Sequence, residues 1–75
     1  MQKLKSYWYI DGFSETYPSL AHAKSAVFDY FKPHERYKLL MNGQIFHDVN
    51  GLTVSVVSIR IDKDCHPSFS RPRKL

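Results

Sequence analysis

Seventy-five residues, 43% hydrophobic and 15% aromatic, suffice for one small globular domain and are too aromatic for an intrinsically disordered chain. No apolar run approaches the roughly 18 residues that would span a bilayer, and Met1-Gln2-Lys3-Leu4-Lys5 lacks the apolar core and cleavage site of a secretory signal. The formal charge of +4 sits at the ends: Lys3 and Lys5 open the chain and Arg71, Arg73 and Lys74 close it, around a body of six basic and seven acidic side chains.

Residues 6–10, Ser-Tyr-Trp-Tyr-Ile, are aromatic and β-branched and are stopped by Asp11-Gly12, so they read as a strand. Tyr7 and Tyr9 then share one side and Trp8 and Ile10 the other, the second pair being the better choice to face a helix. After a connector at 13–17 and Pro18, Ser19 is an N-cap and a helix is expected over 20–32, ended by Pro33. At 100° per residue, Leu20, Ala23, Ala26, Val27, Tyr30 and Phe31 form an apolar stripe opposite Ala21, His22, Ser25, Asp29 and Lys32. Lys24 lies at the stripe's edge, where its stem packs and its ammonium reaches water.

Asn42-Gly43 and Asn50-Gly51 each separate strand-like runs, 37–41 from 44–49 and 44–49 from 52–62. An Asn-Gly pair accepts the positive φ values of a type I′ hairpin turn at least cost. Two-residue loops pair Leu40 with Ile45, Leu39 with Phe46, Val49 with Leu52, His47 with Val54 and Ile45 with Val56. One face then carries Leu40, Ile45, Val49, Leu52, Val54 and Val56, with His47 among them, and the other Tyr37, Leu39, Met41, Phe46, Thr53 and Ser55. The apolar alternation changes phase at Val56-Val57, which suggests a β-bulge or a strong local twist there. The expected fold class is α+β: a β-α-β-β-β chain forming a four-stranded, largely antiparallel sheet with one helix on one face. Residues 1–62 make the domain. Residues 63–75, with two prolines and four basic side chains, form a tail that is extended or disordered unless Phe69 docks.

A single helix covers one face of such a sheet. The other displays Tyr7, Tyr9, Tyr37, Leu39 and Phe46, an apolar and aromatic patch of the kind that marks an interaction surface. The leading expectation is a non-enzymatic module that binds a protein partner or a second copy of itself through that patch, Tyr and Trp being common anchors. The alternative is single-stranded nucleic acid, with bases stacked on the same aromatics and phosphates met by Lys3, Lys5, Lys38, Arg60, Arg71, Arg73 and Lys74. The near-neutral body weighs toward protein.

His22, His34, His47 and His66 have no ligand spacing, and the Cys65-His66 pair alone is a poor zinc site, so no metal and no cofactor are expected. No P-loop, GxGxxG, HExxH or GxSxG sequence occurs, and Asp62 and Asp64 read as a solvated strand end. One cysteine allows no disulfide framework and suits a reducing, cytoplasmic setting.

Overall fold

The computed structural model describes residues 5–31, 43–61 and 66–75. In chain order it contains β1 (Ser6–Ile10), β2 (Thr16–Tyr17), α1 (Leu20–Phe31), β3 (Gln44–Val49), β4 (Leu52–Ile61), β5 (Pro67–Phe69) and β6 (Arg73–Lys74). The strands form an antiparallel sheet in the order β2-β1-β3-β4-β5, with β6 also against β4. The fold is α+β with one helix on the sheet, and the described sheet has six strands rather than four. Among the described residues no helix is long and apolar enough to cross a membrane.

The helix forms where its stripe requires. Ser19 caps it: its carbonyl accepts from Ala23 N at 3.1 Å and its Oγ from His22 N at 3.3 Å, while the His22 ring brings Nδ1 to 2.6 Å from the same Oγ. Ala23 and Val27 are fully buried against Ile10, Ile45, Val57 and Ile59, with Leu20, Ala26 and Tyr30 packed around them. Ala21, His22, Ser25 and Asp29 are exposed, as the stripe demands. The far end expected at Lys32 and Pro33 lies outside the described residues, as does the side chain of Phe31.

β1 folds back on β2 through a turn in which Phe13 N donates to Ile10 O at 2.9 Å and Gly12 takes a φ of 87°. Trp8 and Ile10 face the helix side, leaving Tyr7 and Tyr9 on the other. The second hairpin is a type I′ turn, with Asn50 and Gly51 at φ of 53° and 85° and Val49 opposite Leu52. The expected strand at 37–41 and Asn42 lie outside the described residues. Both edges of β3 are nevertheless occupied: Ile45 lies beside Ile10 and Phe46 beside Tyr9, where Leu40 and Leu39 were expected. An Asn-Gly pair lowers the cost of turning but buries nothing, whereas joining β1 to β3 seals Ile10 against Ile45.

The register of β3 on β4 corrects a second expectation. Asp48 opposes Thr53 and His47 opposes Ser55, so Val54 is the extra residue and the bulge precedes Val56-Val57. Val57 and Ile59 therefore join Ile45 under the helix, and Val56 passes to the opposite face beside Phe46. Leu52 and Val54, expected in the core, are 71% and 37% exposed. Asp48 fixes the position of the slip: it accepts from Thr53 Oγ1 at 2.7 Å and from the Tyr7 hydroxyl at 2.9 Å, holding 48 against 53.

The end of the chain borders the sheet. Residues 67–69 pair with 59–61, Ser70 N donates to Ser58 O at 3.0 Å, β6 pairs with Ser55 and Val56, and Leu75 N reaches Val54 O at 3.1 Å. Phe69 docks on the helix side, edge-on to Phe28 with ring centroids 5.7 Å apart and with Lys24 Nζ 5.3 Å from its centroid.

Candidate functional site

The face opposite α1 carries a row of side chains running across the sheet. Paired positions share a face in an antiparallel ladder, so Tyr9, Phe46, Val56 and Arg73 line up from β1 through β3 and β4 to β6. Tyr9 stacks on Phe46 with centroids 5.2 Å apart and planes inclined by 28°, and Tyr7 adjoins Tyr9 at 6.1 Å. All three rings are half-buried, each keeping part of its surface toward solvent.

Beside them Asp48, only 7% exposed, has both carboxylate oxygens engaged by Tyr7 and Thr53. The hydrogen bond to Asp48 raises the Tyr7 hydroxyl above its ordinary value near 10, helped by burial and by the negative charges of Asp48 and Tyr9. Below pH ~10 the hydroxyl is protonated in both folded and unfolded chains, and its stabilising bond is fully present. As pH rises beyond that, the unfolded chain releases the proton first, so the contribution fades through the folded pKa. Denaturant midpoints compared between pH 9 and pH 11.5 are expected to fall further for the native sequence than for Tyr7→Phe. Equal falls in the two would remove the Tyr7–Asp48 bond from the account.

At the β4 edge of the same face lies a groove of about 490 Å³, lined by Arg60, Arg71, Arg73, Ser58, Ser68 and Ser70 together with Phe69. Arg60 pairs with Ser68, and Ser58 N donates to Ser70 Oγ at 2.8 Å, which pins the side chain of Ser70. Among the described residues no carboxylate lines this groove. Between Phe69 and Arg73 three tail residues, 70–72, face two of β4, 57–58. That extra residue reverses the alternation, so Ser68 and Ser70 before it and Arg71 and Arg73 after it turn to one side. A smaller hollow of about 240 Å³ continues past Ser58 and Arg60 to Gln44 and Gly43.

Two further features lie elsewhere. On the helix side Trp8 and His47 stack with centroids 4.1 Å apart and planes inclined by 4°. A cleft of about 540 Å³ opens between the β1–β2 connection and α1, walled by Phe13, Tyr17, Tyr30, Glu15 and Asp29. There burial, and secondarily the charge of Glu15, raise the Tyr17 hydroxyl.

Of the residues named from the sequence, Tyr7, Tyr9 and Phe46 come together on one face, and Arg60, Arg71 and Arg73 gather at its border. Tyr37, Leu39, Lys38, Lys3 and Cys65 lie outside the described residues. Lys5 stands apart at the Asn50 turn, its N–H donating to Asn50 Oδ1 at 3.1 Å, and Lys74 pairs with Ser55 on the helix side. Ser58, Ser68, Ser70 and Asp48 were not anticipated. The polar positions 58 and 60 after the phase change were the signal for one wall of the groove, and Phe69 was the one hint that the tail docks to supply the other. Among the described residues no cluster of histidine, cysteine or carboxylate side chains has the makings of a metal centre. The chain matches no protein-family model, and comparison with curated proteins and with solved structures gives no match.

Proposed function

We propose that the chain is a non-enzymatic binding module for single-stranded nucleic acid, held on the face opposite α1. The observation that carries this reading is the position of Arg73: the tail brings it onto the same row as Phe46 and Tyr9, with Arg60 and Arg71 alongside. Partly exposed aromatic rings stack unpaired bases irrespective of sequence, and guanidiniums beside them neutralise the phosphates. The near-neutral body favoured a protein partner when charge was counted along the chain, but charge on one face is what a polyanion meets. A cytoplasmic setting, argued from the lone Cys65, belongs to the same proposal.

Self-association through Tyr7, Tyr9, Tyr37, Leu39 and Phe46 is the competing arrangement. It shares the rings and has no use for the arginines. Calorimetric titration with oligothymidylate separates the two. With about three phosphate contacts, affinity is expected to fall about twentyfold between 50 and 200 mM salt, and Tyr9→Ala to weaken binding about tenfold. Undetectable binding at 50 mM salt, or affinity indifferent to salt, overturns the proposal. Concentration-dependent dimerisation in sedimentation that Phe46→Ala abolishes would then favour the protein partner.

A further inference from the structure

The groove at the β4 edge holds more positive charge than an internal phosphate uses. A phosphodiester carries one negative charge, whereas a terminal phosphate monoester carries about 1.5 to 2 at neutral pH and offers three acceptor oxygens. Arg60, Arg71 and Arg73 each supply up to five N–H donors in a fixed plane, and Ser58, Ser68 and Ser70 add hydroxyls within the same 490 Å³. The extra residue at 70–72 is what brings Arg71 and Arg73 to the side where Arg60 already points.

The geometry points to this groove as the seat of the phosphorylated end of a single strand, with the adjoining bases lying back across Val56 onto Phe46 and Tyr9. The assignment rests on the nucleic-acid reading above and adds which part of the strand is recognised. Successive strands are about 4.8 Å apart, so Arg73 and Tyr9, three strands removed, are separated by roughly 14 Å. At the ~3.4 Å per nucleotide of a stacked strand, a few nucleotides bridge that distance. Val56, 7% exposed, offers no ring to stack on and makes the passage between rings and groove.

The experiment compares three unlabelled thymidylate hexamers, carrying a 5′-phosphate, a 3′-phosphate or hydroxyls at both ends, titrated into the full chain at 50 mM salt. One phosphorylated hexamer is expected to bind about tenfold more tightly than the hydroxyl-ended one, and millimolar inorganic phosphate to compete with it. Combined Arg60→Gln, Arg71→Gln and Arg73→Gln, all at exposed positions, is expected to bring that preference below about twofold with the unfolding midpoint unchanged. Equal binding of all three hexamers overturns end recognition and leaves the strand reading standing. Binding of none overturns both. A preference that survives the triple substitution seats the end elsewhere and overturns the assignment.

Discussion

Ile45→Ala is expected to lower the unfolding free energy by about 3 kcal/mol, within the ~2–5 kcal/mol that truncating a buried isoleucine costs. Ile45 is fully buried on the central strand, with Ile10 opposite on β1 and Val57 opposite on β4, beneath the part of α1 that buries Ala23 and Val27. Alanine there removes apolar atoms from both strand interfaces and leaves a hole that neighbours on two sides cannot close. A domain of this length has about 4–11 kcal/mol in total, so the loss is a large part of what holds it folded. Urea denaturation followed by the fluorescence of Trp8, the single tryptophan, measures it directly. Leu52→Ala, at a position 71% exposed, is the matched comparison and is expected to change stability by less than about 0.5 kcal/mol. A loss below about 1 kcal/mol for Ile45→Ala would take Ile45 out of the core, and a loss above about 1 kcal/mol for Leu52→Ala would put Leu52 on a buried face and move the register shift away from Val54.

Removing residues 67–75 is expected to be as damaging, for a different reason. The tail supplies the outer partner of β4 along nearly its whole length, and Phe69 closes the helix side next to Ile59. Without it β4 presents an unpaired ladder of N–H and C=O groups, an arrangement that invites pairing between chains. The shortened chain is expected to unfold at lower denaturant and to associate in sedimentation at concentrations where the full chain is a single species. Phe69→Ala isolates the packing part and is expected to cost about 2 kcal/mol, less than a wholly enclosed phenylalanine because Phe69 is half-buried. A shortened chain with an unchanged midpoint would show that the tail merely lies against the sheet.

How far the sequence could be read depended on whether a signal was local. The helix, its Ser19 cap and its buried stripe follow from spacing within 12 residues, and the Asn50-Gly51 turn follows from two. Both are problems the chain solves with neighbours close at hand. The partner of β3's free edge was another matter: Leu39 beside Phe46 required only a tight turn, but β1 took the edge from more than thirty residues away. That choice is made by burial across the whole sheet, which no short window contains. The bulge lay between. Adjacent valines at 56–57 announced that the alternation slips somewhere, but the slip is pinned at Val54 by Asp48 holding Thr53 and Tyr7, a contact that joins three strands.

The candidate site divides the same way. Tyr7 and Tyr9 share a side because they are two residues apart, and their meeting with Phe46 needed only the right strand beside them. The tail's wall of the arginine groove was illegible, because composition marked residues 63–75 as polar and proline-containing, which describes an edge strand as well as a loose tail. Phe69 was the one hint that it docks.

The outer margin of the sheet bears on how the protein behaves when crowded. The β5–β6 border is two short pieces, interrupted by Pro72 and studded with Arg71, Arg73 and Lys74. The opposite margin, β2, is two residues long. Among the described residues neither margin offers a long uninterrupted strand on which another molecule's strand can template itself, and like charges on the longer one repel a copy approaching edge to edge. Edge-to-edge stacking of native molecules is therefore disfavoured at these two margins for as long as the terminal residues keep their place.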